Sequence, residues 1–155
     1  MIRLIPEEGS KITDAEWEVM RVVWTLKKVS SKEISDVLKE KKDWKPATTK
    51  TFIGRLVKKG MLSTEPKGNR YLYTATVSED ESLKSVTDEL FYHICNKEVG
   101  KTIAELISEA ILSHKDVEIL EKVLEKKKED AVEEVECNCV PGQCQCQEHH
   151  HMKHH

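Results

Sequence analysis

Between Thr13 and Thr74 the apolar residues change period once, from helical to alternating, and that switch limits the fold more than any other feature of the chain. Thr13-Asp14-Ala15-Glu16 sets a hydroxyl three residues ahead of a carboxylate, the pairing that caps a helix start. Trp17, Met20, Val23 and Trp24, with Val19, Val22 and Leu26 beside them, then recur at helical spacing through Lys28. Ser30-Ser31-Lys32-Glu33 repeats the cap and predicts a short second helix with Ile34, Val37 and Leu38 facing inward. Lys41 to Lys45 read as a connector. Pro46 suits the first position of a third helix, where its missing N–H costs nothing, and Gly60 closes that helix. Beyond Gly60, Met61–Glu65 and Arg70–Thr74 alternate as strands do, joined by the turn-forming Pro66-Lys67-Gly68-Asn69. Three helices with a short middle member outline a helix-turn-helix, and a hairpin directly after the third makes it a winged one. An ordinary hairpin completing a small core would look similar, but Lys67 and Arg70 flank the tip, and a basic tip can lie along a phosphate backbone.

The third helix has a distinctive outer face. At 100° per residue, Phe52, Ile53, Leu56 and Val57 gather on one side, which is the expected core face. The other side carries Ala47, Thr51, Gly54, Arg55 and Lys58, with Thr48 and Lys50 on the shoulders, and no acid among them. Small residues let the backbone approach a groove; Thr meets a phosphate or a thymine methyl, and Arg reaches a guanine edge. Charge agrees. Residues 1–77 hold 16 Lys/Arg against 10 Asp/Glu, whereas residues 78–155 hold 9 against 18. Residues 41–59 alone contain seven bases (Lys41, Lys42, Lys45, Lys50, Arg55, Lys58 and Lys59) and one acid, Asp43. A polyanion-binding module joined to an acidic module of different purpose is the implied organisation.

From Ser78 the pattern is helical again. Leu83, Val86, Leu90, Phe91 and Ile94 form a stripe ending near Gly100, followed by Ile103, Leu106, Ile107, Ala110 and Ile111. Val117, Leu120, Val123 and Leu124, with Ile119 alongside, form the last. About fifty residues in three short helices make a marginal core when alone, so these stripes are expected to pack against a second copy or on the winged domain. A two-fold dimer would also set two recognition helices on one duplex. The expected class is therefore mainly α with a small β-hairpin wing. Its parts are a winged helix-turn-helix DNA-binding domain at 1–77, a helical dimerisation domain at 78–128, and a charged linker with a cysteine-rich tail at 129–155.

That tail reads Cys137-Asn138-Cys139-Val140-Pro141-Gly142-Gln143-Cys144-Gln145-Cys146, two Cys-x-Cys pairs around a Pro-Gly turn. Thiolate is the soft ligand that selects zinc, copper(I) or iron–sulfur over hard cations. The turn folds the pairs together, so Cys137, Cys139, Cys144 and Cys146 are the candidate metal ligands, with zinc and copper(I) as competing occupants. Disulfides are the alternative, but they need an oxidising compartment. Met1–Glu8 lacks the apolar run of a signal peptide, and no stretch approaches a membrane span, so a cytoplasmic location with no membrane partner is expected. Cys95 stands alone in a helical pattern and reads as a small buried side chain outside the metal site. His149, His150, His151, His154 and His155 read first as a purification remnant and second as a native metal-buffering tail.

The residues that carry this outline also resemble a known family. Ile12-Thr13-Asp14-Ala15-Glu16-Trp17-Glu18-Val19-Met20 with Val23-Trp24, the segment Trp44 to Gly60, and the wing Lys67-Gly68-Asn69-Arg70-Tyr71-Leu72-Tyr73 resemble the penicillinase-repressor family of the BlaI/MecI type. Within it, the Cys-x-Cys-x4-Cys-x-Cys tail is similar to the copper-responsive (CopY-type) branch. The resemblance implies a homodimeric repressor on the operator of copper-export genes. It further implies zinc in the DNA-bound form, displacement by copper(I), and a copper chaperone as donor of that copper(I). By position it carries DNA contacts onto Lys45, Thr48, Lys50, Thr51, Arg55, Lys58, Lys67 and Arg70. The antibiotic-responsive branch is switched by proteolysis, which a metal sensor does not need. Two other readings stand beside this one: a copper(I) storage or delivery protein without sequence-specific DNA binding, and a thiol redox enzyme. The enzyme reading lacks any group expected beside the thiols to activate them.

Overall fold

The computed structural model of the chain describes residues 11–145. Contacts divide the chain into two compact units, Met1–Glu89 and Leu90–His155. In the first, α1 (Asp14–Leu26) starts at a full capping box: Thr13 Oγ1 accepts the Glu16 N–H at 3.2 Å while Glu16 Oε1 accepts the Thr13 N–H at 2.9 Å. The same device at Ser30 and Glu33 starts α2 (Ser31–Lys42). Pro46 opens α3 (Pro46–Lys58), and Gly60 follows it at φ +78°, a left-handed conformation that glycine adopts without steric cost. Helix α1 stops at Leu26, two residues short of the expected end at Lys28. There Lys27 takes φ 73° and the chain enters a strand that the periodicity did not predict, β1 (Lys28–Ser30).

Strands β2 (Leu62–Lys67) and β3 (Arg70–Ala75) form the hairpin, with only Gly68 and Asn69 between the paired Lys67 and Arg70. The turn is therefore tighter than the four-residue one expected. The sheet is antiparallel in the order β1-β3-β2, with Val29 opposite Tyr73 in the β1 register. Pro66 sits in β2, an edge strand, where a missing N–H breaks no essential ladder bond. Val19, Met20, Val23, Val29, Ile34, Leu38, Ile53, Leu56 and Leu62 make the core on which α1, α2 and α3 meet. Trp24 buries its ring there and donates its Nε1–H to the Val77 carbonyl at 2.9 Å, tying the end of the winged unit back onto α1. This is a winged helix-turn-helix.

One charged pair lies inside this unit. Glu16 is fully buried, and Lys59 Nζ reaches its Oε1 at 2.6 Å and the Lys11 carbonyl at 2.7 Å. Burial pushes the Glu16 carboxyl up, but the Lys59 hydrogen bond, the Thr13 amide and the Lys59 charge outweigh it, so its pKa lies below the ordinary 4.5.

Helix α4 (Glu79–Tyr92) leads out of the first unit. It ends two residues before Ile94, the last member of its apolar stripe. In the second unit a short 3-10 helix, Asn96–Glu98, precedes α5 (Val99–Glu109) and α6 (His114–Asp130), the latter capped by Ser113 and Asp116. No residue of α5 or α6 is buried. Leu106, Val123 and Leu124 are 51%, 58% and 54% exposed, so the stripes do form apolar faces but lie largely uncovered in the single chain. Among the described residues no helix is long and apolar enough to cross a membrane.

Candidate functional site

Two groups of side chains carry the chemistry, one in each unit. The first is the outer surface of α3 with the hairpin tip. Lys45, Thr48, Lys50, Thr51, Arg55, Lys58, Lys67 and Arg70 are all exposed. Thr49, Ile53 and Leu56 take the buried side of the helix, with Phe52 and Val57 half-buried against the core. The burial of Thr49 was not anticipated. Its hydroxyl finds no hydrogen-bond partner among the described residues.

The lysines and arginines of this unit fall into two kinds. Lys28, Lys41 and Lys59 pair with Glu65, Glu18 and Glu16 at 2.8, 2.6 and 2.6 Å. Lys45, Lys50, Arg55, Lys58, Lys67 and Arg70 form no salt bridge among the described residues. The seven bases counted over residues 41–59 thus overstate the charge offered outward, since Lys41 and Lys59 are spent within the fold. Arg21, Lys27, Lys39 and Lys42 on α1 and α2 likewise form no salt bridge among the described residues, so the α3 and hairpin-tip cations are one group of those that remain, set apart by sharing an outer face without acids. Such a cation is available to a phosphate without first breaking an internal pair.

Arg55 is also oriented. Its guanidinium lies 5.6 Å from the centroid of the Phe52 ring, which packs at 5.0 Å on Trp44 from the connector before α3. A cation over an aromatic face is held by the ring quadrupole, so Trp44 and Phe52 act as the mount for Arg55. Gly54 faces outward one residue away, and a Cβ placed there would meet nothing within 4 Å. No packing inside the protein requires a glycine in this helix, where it costs about 1 kcal/mol relative to alanine.

The second group is a thiol cluster. Cys137, Cys139 and Cys144 converge, and with them comes Cys95, the residue that sequence reasoning had left out. Cys95 is buried as expected, yet its Sγ lies 3.4 Å from Cys137 Sγ, which lies 3.4 Å from Cys144 Sγ. All four sulfurs lie within 4.8 Å of one another. Cys146 and the C-terminal histidines lie outside the described residues. No disulfide joins these four, whose spacing is well beyond the roughly 2.05 Å of an S–S bond. A tetrahedral ion with zinc–sulfur bonds of about 2.3 Å would set its ligands roughly 3.8 Å apart. The observed spacings bracket that value, so the donor set fits a soft tetrahedral cation.

Local chain geometry builds the cluster. Val140-Pro141-Gly142-Gln143 closes a turn in which the Gln143 N–H reaches the Val140 carbonyl at 3.0 Å and Gly142 takes φ +97°. The Gln143 side chain returns to accept the Val140 N–H at 3.0 Å. The turn reverses the chain, bringing Cys144 back to Cys137. The Cys139 N–H points at Cys137 Sγ at 3.4 Å, a donor suited to thiolate charge. The Cys139 thiol is pushed up to about 12, by desolvation first and then by hydrogen bonds and charge from its neighbouring sulfurs. A metal that binds thiolates displaces their protons, so metal affinity rises with pH.

Comparison with known proteins supplies the family. A sequence profile of the penicillinase repressor family matches residues 12–126. The chain is similar to an uncharacterized 16.5 kDa protein from the ptsI 3' region of Latilactobacillus sakei, at 47% identity over 141 residues, 91% of this chain and 97% of the relative. It is similar to the methicillin resistance regulatory protein MecI of Staphylococcus aureus (strain N315), at 28% identity over 117 residues, 76% of this chain and 95% of MecI. Among solved structures, one titled as the CopR repressor shares 41% identity over 44% of this chain and 99% of its own, with a TM-score of 0.38. The family match takes in α3, the wing and Cys95, and it stops before Cys137.

Proposed function

The chain belongs to the penicillinase repressor family, and from that premise we propose that it is a metal-responsive repressor controlling copper-export genes. As a transcriptional repressor of the BlaI/MecI type it holds duplex DNA through its winged unit. In this reading α3 enters the major groove, with Arg55 at a base edge, Thr48 and Thr51 at phosphates or thymine methyls, and Gly54 permitting close approach. Lys45, Lys50, Lys58, Lys67 and Arg70 lie along the phosphates. The uncovered apolar faces of α5 and α6 support a homodimer, since a second copy supplies the burial that one chain lacks. Two winged units on one duplex then match a two-fold operator.

The observation that carries the metal part is the convergence of four sulfurs within 4.8 Å in a chain whose other unit presents unpaired cations on an acid-free helix face. A bound zinc ion would supply a tetrahedral thiolate centre that orders the tail, whereas copper(I) prefers fewer sulfurs per ion and a different shape. A difference in shape has an effect only if the metal binds the DNA-holding and released conformers unequally. A hundredfold loss of operator affinity needs about 2.7 kcal/mol of such coupling, a modest share of what metal–thiolate exchange makes available. The test is Cys137→Ser, assayed by gel shift on the protein's own promoter. The variant is expected to remain dimeric and to bind DNA, but without response to copper(I). Copper(I) release that survives the substitution unchanged would remove the cluster from the switch.

A further inference from the structure

The repeated Cys-x-Cys pattern points to a tail that wraps its metal alone, whereas the fold places a sulfur from outside the tail among the tail's sulfurs. We propose that Cys95 is a metal ligand alongside Cys137, Cys139 and Cys144, so that metal staples the tail to the segment following α4. This rests on the metal-responsive reading above and adds a ligand to it.

Three observations carry it. The first is the contact itself, Cys95 Sγ to Cys137 Sγ at 3.4 Å across 42 positions of sequence, inside a set whose spacings suit one tetrahedral ion. The second is that neighbours of Cys95 fasten the tail independently of sulfur. The Asn96 N–H donates to Asn138 Oδ1 at 2.9 Å, and Lys97 Nζ meets Glu134 at 2.7 Å. A tail acting alone has no need of a docking site, yet residues 95–97 provide one. The third is burial. Cys95 is 8% exposed, so its sulfur is already desolvated at the inner wall of the cluster, while the tail sulfurs close over it from the half-exposed side.

The arrangement has a mechanical consequence. Cys95 lies three residues beyond Tyr92, the end of α4, and the loop between Cys95 and Cys137 contains α5 and α6 entirely. A metal bridging the two closes that loop and removes chain entropy from the unfolded state, as any cross-link does. Metal exchange is thereby felt at the end of α4 and across both helices with uncovered apolar faces, rather than in a tail hanging free of them.

Cobalt(II) tests this in the full-length chain, because its sulfur-to-metal charge-transfer absorption scales with the number of thiolate ligands. Cys146→Ser is expected to keep the four-thiolate spectrum of the wild type. Adding Cys95→Ser to that variant should lower the charge-transfer intensity by about a quarter, as expected for three thiolates in place of four. It should also abolish most of the rise in thermal midpoint that zinc gives to Cys146→Ser. Circular dichroism without metal confirms that both variants fold. Loss of the four-thiolate spectrum in Cys146→Ser alone, or identical spectra with and without Cys95, would overturn the assignment while leaving the metal-responsive reading intact. A wild type that binds neither cobalt nor zinc would overturn both.

Discussion

Lys67→Ala, at the hairpin tip, tests whether the exposed cations lie against phosphates. Five cations per chain (Lys45, Lys50, Lys58, Lys67 and Arg70) are assigned to the backbone, and Arg55 to a base. A dimer then makes about ten phosphate contacts, and each contributes roughly 0.9 to the slope of log affinity against log salt, giving a slope near −9. One substitution removes two contacts from the dimer and reduces the slope by about 1.8. Between about 50 and 200 mM salt, Lys67→Ala should therefore lose roughly tenfold less affinity than the wild type. Lys41→Ala is the internal control, because Lys41 is paired to Glu18 at 2.6 Å and is not assigned to DNA. Fluorescence anisotropy of a labelled promoter duplex across a salt series gives both slopes. Equal slopes for Lys67→Ala and wild type, or a change for Lys41→Ala as large as that for Lys67→Ala, would refute the division of the cations into spent and available.

Other substitutions test other links. Lys59→Met strands the buried Glu16 carboxylate and should cost about 3 kcal/mol in urea unfolding, the lower end for breaking a buried pair because Lys59 keeps 19% side-chain exposure. Glu16 has a lowered pKa in the folded state, so its contribution in the wild type is complete above 4.5 and is lost as pH falls through that lower value. Lys59→Met should lose this acid-side decline, and a decline unchanged in the variant would exclude the pair as its source. Gly54→Ala should raise stability by about 1 kcal/mol, since its Cβ meets nothing within 4 Å, and yet weaken operator binding. Unchanged binding would show that α3 does not approach DNA at that point. Leu106→Glu places a charge on the uncovered face of α5 and should yield monomers in sedimentation; a persistent dimer would move the interface elsewhere.

What the sequence made legible was mostly local. The caps at Thr13 and Ser30, Pro46 at the start of α3 and the paired strands of the wing each declare themselves within a few residues. Strand β1 did not, because three residues are too few to show a period and its partner in β3 lies more than 40 positions away. The helical stripe before it therefore ran on through Lys28. Thr49 was passed over because a hydroxyl among hydroxyls looks like surface, although its place on the helix faces the core. Cys95 was missed for a related reason. Its nearest ligand neighbour is 42 residues distant, and no spacing rule reaches that far; only the folded path after α4 brings the two sulfurs together. The fact that Lys41 and Lys59 are neutralised likewise depends on α1 supplying Glu18 and Glu16, which composition alone could not tell.

The most direct trial of the whole account is operator affinity measured on one preparation in three states: metal-free, zinc-loaded and copper(I)-loaded. Tight binding with zinc and a loss of about a hundredfold on exchange for copper(I), equivalent to roughly 2.7 kcal/mol, is the predicted result. Equal affinity in all three states would contradict it.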